Sequence, residues 1–374
     1  MKNVVIAGYA RSAFHPAGKG ALTKVRPDDM TAQVLRTLVE RTGVDTADVE
    51  DLIVGCAFPE GEQGLNVARL IGFLADLSLN VAGVTVNRFC GSSMQAVHQA
   101  AGAIQMDAGE AFLCAGVESM TRVPIMGFNP LPNPGLYKAM PQAYVSMGDT
   151  AENVARKYQI PRADQEAFAV ESHRKAAKAQ AEGRFEAEIV PVGGVAQDGC
   201  IRPDTTAESL AGLKPAFDAA GTVTAGTSSP LTDGAAAVLV CSEDYAKARG
   251  LPVLARIRSV AVSGCSPDVM GLGPILSSQK ALKRAGLSVA DIDLVELNEA
   301  FAAQALACIR DLGLDQDKIN LDGGAIALGH PLGATGARIV GKAAALLKRE
   351  GKQFALVTQC IGGGQGIATV LEAV

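Results

Sequence analysis

Cysteine, histidine and asparagine recur in this chain inside glycine-rich punctuation, where a side chain can meet a ligand. In Asn87-Arg88-Phe89-Cys90-Gly91-Ser92-Ser93-Met94 a cysteine follows the apolar run Val81–Val86 and opens a segment rich in small residues (Ser92, Ser93, Ala96, Ala100, Ala101) that reads as a buried helix. A strand that turns into a helix at a cysteine sets the sulfur at the helix N-terminus, where unpaired N–H groups and the dipole favour thiolate. That is nucleophile geometry. His330 is the only one of the four histidines framed by glycines, Gly329 and Gly333, while His98 and His173 fall in helical patterns that suit packing or a solvated face. Cys360 closes the apolar run Leu356–Thr358 and opens Ile361-Gly362-Gly363-Gly364, whose N–H groups could form an anion nest or only a tight turn. Asn298, in Glu296-Leu297-Asn298-Glu299-Ala300-Phe301, could cap a helix or face a ligand.

Eight cysteines dilute the signal of any one thiol, because free cysteine is a common buried small hydrophobe. Cys56, Cys114, Cys241 and Cys308 read as such, and no pair has the C-x-x-C spacing of a zinc or redox site. No metal is expected.

The elements that must position these groups come in two related copies. Arg41, Gly43, Ala47 and Asp48 recur as Arg284, Gly286, Ala290 and Asp291, and Ala57-Phe58 as Ala300-Phe301, every pair 243 positions apart. The same shift lays Gln95–Met106 over the helical Arg338–Arg349 and the strand-like Ala111–Gly116 over Phe354–Gln359. Each copy reads as helix, strand, small-residue helix, strand, with apolar strands that need helices on both faces. The expected fold is α/β, a duplicated layered α/β/α/β/α sandwich with the small-residue helices between sheets. Under the shift Asn87 falls on His330, Cys90 on Gly333, Gly55 on Asn298 and Val117 on Cys360. Corresponding strand ends therefore bring Cys90, Asn298, His330 and Cys360 to one end of the molecule, where layered α/β folds bind ligands.

The repeat breaks near Glu118 and resumes near Asp244, which divides the chain into an N-terminal half (1–119), an inserted loop domain (120–243) and a C-terminal half (244–374). The proline-rich Pro124–Pro141 reads as an exposed loop suited to a subunit contact. At 374 residues and 48% hydrophobic content the chain can bury a large core. A net charge of −5 argues against a nucleic-acid surface, and no apolar run reaches the roughly 18–20 residues of a spanning helix. With no signal-peptide pattern after Met1, a cytoplasmic protein with reduced thiols is expected.

Taken together, these stretches closely resemble the thiolase family: Asn87–Met94 its nucleophile motif, Asn298–Ala302 its Asn-Glu-Ala-Phe motif, Gly329-His330-Pro331 its histidine motif, and Cys360–Gly364 its second-cysteine motif. Val269–Pro274 and Thr224-Ala225-Gly226 match as well, so the resemblance runs along the whole chain in order. It implies reversible Claisen exchange, 3-ketoacyl-CoA plus CoA giving acetyl-CoA and a shortened acyl-CoA. By that resemblance Cys90 is acylated, His330 activates it, Cys360 moves the α-carbon proton, and Asn298 holds a water beside His330 to stabilise the enolate. The backbone N–H groups of Cys90 and Gly362 would form the oxyanion hole. Ser229 would contact the pantetheine arm, Arg202 and Phe217 would lie near the adenine, and Met147, Ala300 and Phe301 would line the reacting end. CoA enters as a substrate, and no tightly bound cofactor is implied.

A helix dipole contributes only about 0.3–1 kcal/mol, less than one pKa unit, so a base such as His330 is required to generate the thiolate. Biosynthetic acetoacetyl-CoA members usually carry histidine before the Met-Gly pair, whereas this chain has Ser146-Met147-Gly148. That favours the broader degradative class, fatty-acid β-oxidation included, over a biosynthetic acetyl-CoA C-acetyltransferase. Pro124–Val145 looks short beside tetramer-forming members, which favours a homodimer over a dimer of dimers and leaves room for a β-oxidation complex partner. A cysteine hydrolase would not need Cys360, a decarboxylating ketoacyl synthase would replace it with histidine or asparagine, and a non-catalytic acyl-CoA-binding protein would not need all four groups.

Overall fold

The computed structural model describes residues 2–374. Its strands are β1 (Val4–Ser12), β2 (His15–Pro16), β3 (Val49–Gly55), β4 (Ala82–Val86), β5 (Ala111–Ser119), β6 (Ile189–Val190), β7 (Thr232–Ser242), β8 (Ala255–Gly264), β9 (Leu294–Leu297), β10 (Phe354–Ile361) and β11 (Gln365–Glu372). They hydrogen-bond in the order β4-β3-β5-β7-β1-β8-β11-β10-β9, with β2 on β7 and β6 on β1. The order mirrors itself about β1 and β8, which meet only through Val5–Arg256 and Ile6–Ala255. In each half a parallel pair (β3 with β5, β9 with β10) is followed by antiparallel strands.

Strand alternation builds the layers. Val5, Ala7, Leu52, Val54, Leu113 and Ala115 face outward onto the helices Pro27–Thr42 and Val67–Leu74. Their neighbours Val4, Ile6, Ile53, Phe112 and Cys114 face inward onto the helices Ser92–Gln105 and Leu332–Glu350, which the second half covers with Leu294, Ala355, Val357 and Ile367. Val295, Leu297, Leu356 and Val370 turn the other way, to the helices Gly273–Ala285 and Ala302–Leu312. Five layers result, as the duplication implied. Each fully buried Val, Leu or Ile contributes about 1.5–3 kcal/mol, so these two-faced strands stabilise the sandwich on both sides.

Small residues let the central helices approach closely. A Cβ on Gly116 would lie 2.1 Å from the Gly333 carbonyl oxygen, and one on Gly336 would lie 2.2 Å from the Met94 nitrogen. The start of each central helix is thereby pressed against the other copy's strand ends.

Two expectations change. Thr232–Ser242, assigned from sequence to the insertion, is β7, fully buried between β5 and β1, so the excursion from the repeat ends near 231. Its small-residue first half, Thr232–Ala237, continues the Thr/Ser/Gly/Ala run before it, while Val238–Cys241 packs into the core on both faces. The counterpart of β4 in the second half is not a strand but a short helix, Ala325–Leu328. It is held by the Glu299 carboxylate, which accepts the Ile326 N–H at 3.2 Å, and it lies between turns at Gly323 (φ 84°) and Gly329 (φ 101°). The excursion packs back onto the second half: Ser229 N–H donates to the Ala300 carbonyl at 2.9 Å, and Ser228 bridges to Phe301. Among the described residues no helix is long and apolar enough to cross a membrane.

Candidate active site

Cys90 sits in the turn Phe89–Gly91 that leads into the Ser92–Gln105 helix. Asn87 braces the turn, donating to the Ala57 carbonyl at 2.9 Å and accepting the Phe89 N–H at 2.8 Å. Phe89 is driven to φ 42°, a left-handed conformation that costs a non-glycine residue of order 1–3 kcal/mol and often marks a functional turn. The Gln359 amide donates to the Cys90 carbonyl from β10, and the N–H groups of Gly362 and of Cys90 itself lie against the sulfur.

The sulfur is not, however, held as thiolate. Burial pushes the Cys90 thiol up to about 11, outweighing the N–H groups that favour the anion. The N–H groups act in the direction the sequence implied, but as expected of so small an effect they do not by themselves generate the thiolate. The thiol must give up its proton as it reacts.

His330 is arranged to take one. Its N–H donates to Thr232 Oγ1 at 3.0 Å, and its Nδ1 lies 2.6 Å from Thr335 Oγ1. Thr335 Oγ1 is also 3.0 Å from the Pro331 carbonyl, which can only accept. Satisfying both contacts puts the hydroxyl proton on the carbonyl and the imidazole proton on Nδ1, an assignment that follows from the network. Nε2 is then a lone-pair acceptor. Burial, and next the Arg338 cation, hold the imidazole down at about 3, so it is neutral at physiological pH.

Asn298 points its Nδ2 at His330 Nε2, 3.4 Å away, and its Oδ1 is buried without a protein partner. A donor from substrate or solvent has to complete it. Asn298 does not cap the next helix, which starts at Ala302 after Phe301. Glu299 instead anchors the turn, accepting from Ser172 at 2.6 Å and Asn320 at 2.7 Å. Cys360, in β10 opposite Gly366, is raised by burial and then by its closeness to Cys90. Its side chain packs with Met270, Ala300 and Phe301.

A largely apolar cavity of about 440 Å³ opens onto Cys90 and His330, and its wall includes Met147, Phe217, Ser229, Ala300 and Phe301. Phe217 meets Phe301 edge to face at 5.9 Å. Asn298, Cys360 and Gly362 lie behind this wall, against His330, Ala300 and Cys90 respectively, whereas Arg202 stands apart on an open groove of about 600 Å³ with Ser209 and Leu213. Phe217 and Arg202, expected together, thus line different spaces. His173, expected to pack or face solvent, is buried against Arg202.

Sequence reasoning missed Thr335, Gln359 and Glu118. Glu118 is a buried carboxylate that accepts N–H groups from Ala57 at 2.8 Å, Phe58 at 3.2 Å and Gly333 at 2.9 Å, binding the Cys90 side of the site to the His330 side. A lone acid ending the apolar run Phe112–Val117 was the available signal.

The duplicated, layered α/β molecule thus sets a thiol and a neutral imidazole on one apolar cavity, with an amide against the imidazole and a second thiol close to the first. Residues 4–244 match the family model described as thiolase, N-terminal domain, and residues 251–373 the one described as thiolase, C-terminal domain. The chain is 49% identical over 389 residues to a 3-ketoacyl-CoA thiolase of Bacillus subtilis (strain 168), with 100% of each chain covered. It is 50% identical over 388 residues, again covering 100% of each, to a 3-ketoacyl-CoA thiolase of Serratia proteamaculans (strain 568). The crystal structure of the Bacillus anthracis acetyl-CoA acetyltransferase superposes with a TM-score of 0.93 at 39% identity, covering 100% of this chain and 99% of that one. The chain belongs to the thiolase family.

Proposed function

We propose that this thiolase cleaves 3-ketoacyl-CoA with CoA, reversibly, through an acyl group on Cys90. The observation that carries the reading is the placement of Cys90 and His330 on one apolar cavity, with Nε2 unprotonated and Cys360 close to Cys90. His330 Nε2 takes the thiol proton as the sulfur attacks the C3 carbonyl. The C2–C3 bond then breaks, Cys360 protonates the acetyl-CoA carbanion, and the acyl group stays on Cys90. CoA next gives its thiol proton to the Cys360 thiolate and its sulfur attacks the acyl-enzyme, expelling Cys90, which recovers its proton from His330. Protons balance over the cycle, and the protein needs no resident cofactor.

The N–H groups of Cys90 and Gly362 serve as oxyanion donors, each worth about 3–4 kcal/mol where measured in other enzymes. Asn298, with a donor on its open Oδ1, steadies the enolate oxygen. Ser229 guides the pantetheine arm, Met147, Ala300 and Phe301 shape the reacting end with Phe217, and the Arg202 groove takes the nucleotide end of CoA. In this reading 120–231 is the CoA-binding excursion between two catalytic halves. A homodimer is preferred: β4 is an edge strand with Val84 exposed, beside the exposed Leu65, Phe73 and Leu79.

The broader 3-ketoacyl class is preferred over a dedicated acetoacetyl-CoA enzyme because Ser146 precedes Met147 and because the relatives near 50% identity carry the 3-ketoacyl-CoA thiolase name. Thiolysis of 3-ketoacyl-CoA esters of graded chain length tests the choice. Activity across several lengths is expected, and activity confined to the four-carbon ester would replace this reading with the acetyltransferase one. Short incubation with acetyl-CoA should add one acetyl group, mapped by peptide mass to Cys90. An adduct elsewhere would reject Cys90 as the acyl carrier.

A further inference from the structure

Arg202 has an unusual companion. Its backbone N–H donates to Nδ1 of His173 at 3.1 Å, and a guanidinium nitrogen lies 3.1 Å from Nε2 of the same ring. His173 is only 1% exposed, on the inner face of the Arg162–Ala181 helix. Because Nδ1 accepts from a backbone donor, the proton of the neutral imidazole must sit on Nε2. Burial, and then the adjacent Arg202, keep the ring neutral by holding it down at about 4.

At Nε2 a ring N–H therefore faces a guanidinium N–H, donor against donor. No carboxylate lies within ion-pair distance of Arg202 among the described residues. The ring thus fixes the backbone of Arg202 while offering no acceptor to its exposed guanidinium at the groove formed with Thr205, Ser209 and Leu213. Most other arginines near the excursion are answered: Arg156 by Asp218, Arg162 by Glu166, Arg174 by Glu171 and Arg184 by Asp322.

We propose that His173 is a positioning residue for the nucleotide end of CoA: it pins Arg202 at the groove and denies the guanidinium an internal partner, so that an anionic phosphate group completes it. The inference rests on the reading of this groove as the CoA nucleotide site. An acceptor at that ring position, such as a carboxylate, would have satisfied Arg202 internally and weakened its hold on phosphate.

The test compares thiolysis driven by CoA with thiolysis driven by pantetheine, which has the same thiol arm and no phosphate. His173→Phe keeps the ring's bulk but loses the acceptor, and His173→Asn retains an acceptor near the Nδ1 position. Losing one buried hydrogen-bond acceptor typically costs about 1–3 kcal/mol, so His173→Phe should raise the KM for CoA about 10-fold. Its kcat and its KM for pantetheine should stay at wild-type values, and His173→Asn should recover most of the loss. Arg202→Ala is the control and should also raise the KM for CoA alone. If Arg202→Ala does so and His173→Phe does not, the positioning role is wrong and the groove reading stands. If neither variant changes the KM for CoA, the groove reading fails and takes the inference with it. An equal loss with pantetheine, or a fall in kcat, would make His173 a general structural residue and overturn the proposal.

Discussion

Two buried thiols at this site are chemically unlike because of what surrounds them. Cys90 lies against N–H groups on a cavity it shares with His330, whereas Cys360 is enclosed by apolar side chains and the first thiol. The division of labour predicts that Cys360→Ala still acquires acetyl on Cys90 from acetyl-CoA yet forms no carbon–carbon bond. Equal loss of both half-reactions, read by intact mass and by acetoacetyl-CoA formation, would contradict it. Thr335 carries a second prediction, since its hydroxyl fixes the proton on Nδ1. Thr335→Val leaves that N–H unpaired, a penalty of about 1–3 kcal/mol, and kcat/KM should fall by about 5- to 100-fold while Thr335→Ser stays near wild type. Unchanged kinetics in the valine variant would show that the tautomer is set by something else. Cys90, Asn298, His330 and Cys360 were legible in the sequence because glycines or strand ends frame them. Thr335, Gln359 and Glu118 were not, because what they do depends on contacts made only after folding, such as Gln359 reaching back to Cys90 and Glu118 across to Gly333.

Elements locate these residues through the meeting of the two central helices. The internal repeat exposed that meeting in advance, since it paired Cys90 with Gly333, but composition could not distinguish β7 from a loop or Ala325–Leu328 from a strand. Short Ala/Gly/Thr segments fit several local structures, and their neighbours decide. Gly116 is where an added methyl meets backbone rather than a movable side chain, at the Gly333 carbonyl. Gly116→Ala should lower stability by about 1–3 kcal/mol in urea unfolding and also reduce kcat, because the strain falls three residues from His330. Wild-type stability would mean the helices can part without cost. Arg338, on the helix that begins just after His330, is paired with Glu296 on β9 at 3.1 Å, both buried. Replacing the pair by Met and Leu removes the cation that helps depress His330, so its pKa rises. The acid limb of kcat/KM should then move to higher pH, whereas a uniform loss across pH would mean the pair only joins β9 to the helix.

At the scale of the whole molecule, the same burial that keeps the imidazoles neutral ties stability to pH. His98 and His330 are held down at about 3 and His173 at about 4, in each case by burial first, against about 6.5 in an unfolded chain. Between those values the unfolded state binds protons that the folded state refuses. Stability contributed by these three groups is therefore fully present above pH 6.5 and lost as pH falls towards 4. Glu296 acts in the opposite sense: burial lifts its carboxyl to about 7, so the folded state holds a proton there that the unfolded chain releases above its own pKa. Burial raises Glu118 and Glu299 in the same sense as Glu296, so the net pH dependence is a balance of three buried imidazoles against these buried carboxyls. Urea unfolding at pH 7, 6 and 5, compared between wild type and a histidine variant, isolates one imidazole from that balance. Removing one histidine from the balance with His98→Gln, which can keep the bond to Thr369 Oγ1, should flatten the slope by about 1.4 kcal/mol per unit without touching the site. An unchanged slope in that variant would mean that the folded protein admits charge into its central layer, and the burial argument for a neutral imidazole at His330 would lose its support.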